Sequence, residues 1–166
     1  MNKPTKNTLK VYFIGAGPGD PELLTLKAVR IIRKADIVIY AGSLVNKDIL
    51  KFARKAAVRY DSAKMTLEEV LGIIEKEKYN KKIITRLHTG DPSIYGAIQE
   101  QMDWCEKEGI AYEVIPGVSS FQAAAASLRQ EWTLPGVSQT VILTRLSGRT
   151  KVPPKEDLEK LAKIRA

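Results

Sequence analysis

Short strand-forming runs alternate with helical periodicity along most of this chain, and that alternation restricts the fold more than any other feature. Lys10-Val11-Tyr12-Phe13-Ile14 is a buried-type strand closed by Gly15. Leu26, Val29 and Ile32 then recur at helical spacing through Lys34, and Ile37-Val38-Ile39-Tyr40 reads as a second strand. A short helix is expected around Asp48 to Ala53, and Val58-Arg59-Tyr60 suits a short strand. Thr66-Leu67-Glu68-Glu69 is a capping box ahead of an apolar face of Leu67, Val70, Leu71 and Ile74. Lys82 to Leu87 forms the next strand, and the helix after it is expected to start near Tyr95 or Gly96. That helix carries Ile98, Met102 and Cys105 on one side, and Gly109 ends it. Tyr112-Glu113-Val114-Ile115 is a strand, and Ser119-Ser120-Phe121-Gln122 is a second capping box. Such alternation predicts an α/β fold: a mainly parallel sheet with helices on both faces.

Residues 9–128 are therefore expected to form an N-terminal α/β domain. Residues 129–138, with Trp132, Pro135 and Gly136, read as a linker. Residues 139–166 read as the start of a second α/β domain, with a strand at Thr140-Val141-Ile142-Leu143-Thr144 and a last helix after Pro153-Pro154.

Composition removes several function classes. Apolar content of 44% provides for a real core, and no apolar run approaches the length of a membrane span. One cysteine excludes an internal disulfide, and one histidine excludes a multi-histidine metal site. No signal peptide is read at the polar N-terminus, so the cytoplasm is the expected compartment and no membrane partner is expected. The net charge of +8 is uneven. Residues 1–10 hold three lysines and no acid, residues 139–166 hold seven bases and three acids, and residues 11–138 are close to neutral. A neutral centre argues against nucleic acid, which wants a basic face with interleaved aromatics.

Three strand-to-helix loops carry the candidate chemistry. They are Gly15-Ala16-Gly17-Pro18-Gly19-Asp20-Pro21, Gly90-Asp91-Pro92-Ser93-Ile94-Tyr95-Gly96 and Pro116-Gly117-Val118-Ser119-Ser120. All follow strands, where open α/β sheets place their ligands. The first is not a dinucleotide fingerprint, because Asp20 or Glu22 stands where the third glycine would be. No Walker loop follows it either, and Pro18 and Pro21 remove donors that an anion would need. Asp91 can stabilise a nearby cation or accept a hydroxyl, and it equally suits a turn or helix cap. His88 suits either a base or a hydrogen-bonded structural role. Ser119 and Ser120 sit at a helix start, where capping accounts for one of them. No catalytic residue is singled out, and Cys105 is assigned to the core.

Together the three loops resemble those of the tetrapyrrole methylase family. Tyr40-Ala41-Gly42-Ser43-Leu44-Val45 and Thr140-Val141-Ile142-Leu143-Thr144-Arg145 narrow the resemblance to members that methylate a precorrin in cobalamin synthesis. It implies two α/β domains with S-adenosylmethionine, the methyl donor, in the cleft between them. By resemblance Pro18, Thr89, Gly90, Asp91, Ile94, Ser119 and Ser120 line the cofactor site, and Ser43 and Leu44 face the macrocycle. An acidic tetrapyrrole substrate and a homodimer are implied as well. Family members continue through a complete second domain, whereas this chain holds one strand and one helix of it. Weak cofactor binding, no useful turnover, and poor order or pairing with another chain over residues 137–166 are the resulting expectations.

Overall fold

The computed structural model describes residues 9–148 and 151–163. The basic residues 1–8, and positions 149–150 and 164–166 of the expected partial second domain, lie outside the described residues. The chain divides into two compact units, Met1–Ala123 and Ala124–Ala166.

The first unit is built on five strands: β1 (Lys10–Gly15), β2 (Ile37–Tyr40), β3 (Val58–Asp61), β4 (Ile83–His88) and β5 (Ala111–Ile115). Their order across the sheet is β3-β2-β4-β1-β5, and every pairing is parallel. β1, β2 and β4 are buried along most of their length, as expected of parallel strands covered on both faces. β3 lies at one edge and is exposed throughout, which leaves its sequence signal short and weak. Asp36 sets the register where β2 begins. Its Oδ2 accepts from the Ile83 N–H at 2.7 Å, and its Oδ1 pairs with Arg54.

Helices cover both faces. On one side, α1 (Leu26–Ile32) brings Ala28 and Ile32 against Ile14, Val38, Leu87 and Ile115. On the other, α2 (Leu67–Lys76) and α3 (Gln99–Lys107) bring Val70, Ile73, Ile74 and Cys105 against Val11, Phe13, Ile39 and Ile84. Each large side chain so buried contributes about 1.5–3 kcal/mol. Cys105 is fully enclosed, and burial pushes its thiol up to about 11, so it is core. The segment expected as a helix over Asp48 to Ala53 is a 3-10 helix, Lys47–Phe52.

Two helix signals are realised in full. At the start of α2, Thr66 accepts from the Glu69 N–H, and Glu69 accepts from the Thr66 N–H at 2.7 Å. At the end of α3, the Ile110 N–H reaches Cys105 O at 2.8 Å and the Gly109 N–H reaches Glu106 O at 3.1 Å, a Schellman arrangement. The start of α3 needs correction: it begins at Gln99 and not near Tyr95. Tyr95 and Ala97 have φ of 57° and 48°, which no right-handed helix contains, so the loop runs on to Ile98.

α4 (Ser120–Leu128) crosses the boundary between the units. In the second unit, the Gln130 N–H closes on Ala125 O, and Leu134 bridges Ser138. The expected strand over 140–144 is not formed, since no element occupies residues 139–147. A strand needs a neighbour for its backbone, and no described residue supplies one. Val141, Ile142 and Leu143 are accordingly exposed. The last helix is α5 (Leu158–Leu161), capped by Asp157. No helix among the described residues is long and apolar enough to cross a membrane.

Thr66→Ala removes one half of the capping box without touching the core. It should cost about 1 kcal/mol in urea unfolding, with the slope of the transition unchanged.

Candidate functional site

β4, β1 and β5 are neighbours, and their register brings their carboxyl ends to one level. Gly15 lies opposite His88, and Ile14 lies opposite Ile115. The three loops therefore leave the sheet side by side and meet through their backbones. The Ala16 N–H donates to His88 O at 2.7 Å. Gly17 and Gly90 form an antiparallel bridge, with the Gly90 N–H donating to Gly17 O at 2.8 Å and the Gly17 N–H to Gly90 O at 3.3 Å.

Gly15 and Gly117 allow this approach. A Cβ on Gly15 would lie 2.5 Å from Gly117 Cα and 2.6 Å from Gly90 O. A Cβ on Gly117 would lie 2.7 Å from Gly15 Cα and would also strike Gly90 O. These are backbone atoms, so no side chain can move aside. Sequence reading noted both glycines only as loop formers. Their position directly at a strand end was the available signal, but contact between distant loops is not visible in a linear pattern.

Asp91 ties the second loop to the third. Its Oδ1 accepts from the Ser93 N–H at 2.8 Å, and its Oδ2 accepts from the Gly117 N–H at 2.9 Å. Burial pushes its carboxyl up, but the bonds from Gly117 and Ser93 outweigh this and leave it below the usual range. The turn role is thus real, and it reaches across to another loop. Ser119 is buried, and its N–H donates to Gln122 Oε1 at 2.9 Å, as the second capping box requires.

The remaining expected residues fall around this knot. Pro18 is half-buried beside Gly17, while Thr89, Ile94 and Ser120 are exposed on the rims of their loops. Ser43 and Leu44 are exposed on the loop after β2, which β4 separates from β1. Asn46, which sequence reading passed over, links that loop to the first: its Nδ2 donates to Gly19 O at 2.7 Å. Asp61 holds the same loop by accepting from the Gly42 N–H at 2.9 Å.

His88 is 8% exposed and its ring lies 6.2 Å from that of Phe13. Burial and then the nearby Arg86 charge bring its pKa down to about 3, against a hydrogen bond to the Gly96 backbone that acts the other way. The imidazole is therefore neutral at physiological pH, and the structural role prevails over that of a surface base.

The family model for tetrapyrrole (corrin/porphyrin) methylases matches residues 10–166. The chain belongs to this family. Among the methylases it resembles, the cobalt-precorrin-4 C(11)-methyltransferase of Methanocaldococcus jannaschii is 57% identical over 157 residues, covering 95% of this chain and 61% of the relative. The X-ray structure of a cobalamin biosynthetic enzyme, cobalt precorrin-4 methyltransferase, is 48% identical with a TM-score of 0.88, over 93% of this chain and 64% of that one. A uroporphyrin-III C-methyltransferase of Thermus thermophilus, solved in complex with S-adenosylhomocysteine, is 32% identical with a TM-score of 0.65, over 79% of this chain and 53% of that one. The chain thus spans about three fifths of the length of the curated methylase cited.

Gly117→Ala should destabilise the first unit by about 3 kcal/mol, near the upper end for overpacking, because the new methyl meets backbone from two loops. Urea unfolding of the variant beside the parent measures this.

The neutral His88 also predicts acid sensitivity. Its folded pKa lies below the unfolded value of about 6.5, so its contribution is full above that pH and is lost as pH falls toward 3. Over that window it should lower stability by up to about 1.4 kcal/mol per pH unit. Unfolding midpoints of the parent and His88→Gln between pH 6 and 4 should diverge, with the flatter curve in the variant.

Proposed function

We propose that this chain is the portion of a methyltransferase that seats S-adenosylmethionine, and that the whole protein methylates C11 of a precorrin-4-type tetrapyrrole in cobalamin synthesis. The observation that carries this reading is the backbone knot of three loops at the carboxyl ends of β4, β1 and β5. The names borne by the precorrin-4 relatives support the substrate, and the S-adenosylhomocysteine in the Thermus thermophilus relative supports the donor.

Pro18, Thr89, Gly90, Asp91, Ile94, Ser119 and Ser120 are assigned to the cofactor, and Ser43 and Leu44 to the macrocycle. S-adenosylmethionine supplies an electrophilic methyl group. Transfer would break the S–CH3 bond as the ring carbon–CH3 bond forms, leaving neutral-sulfur S-adenosylhomocysteine and passing the positive charge to the ring, which would then lose it as a proton. Such a displacement depends on alignment of donor and acceptor more than on a strong base. Holding the two in line can contribute roughly 7–11 kcal/mol. A rigid backbone knot, with a neutral His88 beneath it, suits that requirement. We assign residues 9–128 to the cofactor-side domain, 129–138 to a linker and 139–166 to part of a second domain. The complete enzyme is proposed to be a cytoplasmic homodimer that does not act on nucleic acid.

The test uses this chain joined to the second domain of a precorrin-4 relative and methyl-labelled S-adenosylmethionine. Label should enter the tetrapyrrole and not ribosomal RNA, and the 166-residue chain alone should bind S-adenosylhomocysteine far more weakly than the joined protein. Label found only in RNA would overturn the substrate assignment.

A further inference from the structure

Arg86 has no anionic partner among the described residues. It stands on β4 opposite Ile39 of β2 and Phe13 of β1, two residues before the strand ends. Its Nη1 donates to Ser62 Oγ at 2.7 Å, and that hydroxyl donates in turn to Tyr40 O at 3.1 Å. Its Nε is buried with no partner. Among the described residues no carboxylate pairs with Arg86, whereas Arg54 has Asp36. Burial alone brings the guanidinium down to about 10, with no acidic group acting in the opposite direction.

A mostly buried charge without a counter-ion is costly, and such violations concentrate at functional sites. The surroundings do not compensate the charge. His88, two residues along the strand, is neutral, and its Nε2 has no partner. Ser62 uses its proton on Tyr40 and can offer Arg86 only a lone pair. Ser62 therefore aims the guanidinium without neutralising it. Unlike His88 and Ser62, Arg86 keeps part of its surface open. It lies on the strand that leads directly into the Gly90-Asp91 loop.

Building on the proposed function, we infer that Arg86, held by Ser62, is a carboxylate-binding subsite for an acidic ligand. A guanidinium presents paired N–H donors that match the two oxygens of a carboxylate. That carboxylate belongs either to the amino-acid end of the sulfonium cofactor or to an acidic side chain of the macrocycle.

The experiment uses the 166-residue chain, isotope-labelled at arginine and titrated separately with propionate, S-adenosylhomocysteine and a polycarboxylate porphyrin. The Arg86 Nε–H resonance should shift with propionate and with one of the two larger ligands. A shift with S-adenosylhomocysteine assigns the cofactor carboxylate, and a shift with the porphyrin assigns the macrocycle. Arg86→Met should lose at least about tenfold in affinity for that ligand, the range for a lost charge-assisted hydrogen bond, and Arg86→Lys should fall between. Without ligand, the unfolding midpoint of Arg86→Met should not drop below that of the parent. An unmoved resonance in a parent that binds its ligand would overturn the inference. So would a lowered midpoint in Arg86→Met with affinity retained, which makes Arg86 a structural tie. If the 166-residue chain binds neither larger ligand, the propionate arm decides: a shifted Arg86 resonance supports a carboxylate subsite and an unmoved one overturns it, while the functional reading is tested separately on the joined protein.

Discussion

Everything at the carboxyl edge of this sheet depends on backbone touching backbone. Gly15, Gly90 and Gly117 come from loops far apart in sequence, and a methyl group on Gly15 or Gly117 would not fit, since each would strike the Gly90 carbonyl oxygen. The contact is possible because β1 lies between β4 and β5 in register, so three strand ends finish level. The parallel sheet sets the height of the loops, and the missing side chains set their spacing. Asp91 then fastens two of them, its oxygens accepting charge-assisted bonds from the Ser93 N–H in its own loop and the Gly117 N–H in the other.

Polar groups beneath this edge differ in how well they are matched. Asp91 is satisfied, His88 is neutralised by its burial, and Arg86 retains a charge that no acidic group among the described residues balances. A core optimised only for stability would favour apolar side chains at the position of Arg86. The arrangement instead keeps the anionic member of the set in a loop and the cationic member on a strand.

Much of this was legible in the sequence, for identifiable reasons. The run Val11 to Ile14 and the Thr66 capping box have local signatures, and both appear as read. The clustering of the three loops followed from strand-helix alternation alone. What escaped is non-local or conformational. Tyr95 and Ala97 gave no warning of positive φ, so α3 was started too early. The run at 140–144 has strand composition, yet a strand is a relation between two chains and cannot be read from one. Arg86 was passed over as an ordinary strand residue because its isolation shows only once its neighbours are placed. Asn46 was missed for the same reason, as its partner is a carbonyl in another loop.

The strand order has a consequence for how the chain is assembled. β1 is made first, but its neighbours are β4 and β5: Lys10 must wait for Ile83 on one side and for Ala111 on the other. β2 and β3, by contrast, pair soon after they emerge. During synthesis the apolar stretch Val11 to Ile14 is therefore exposed, with both edges open, until more than half of the first unit has been made. Long-range parallel pairing of this kind is slow to form and prone to association while incomplete. The strand that ends at the centre of the sheet is thus the one that a nascent chain must shield for longest.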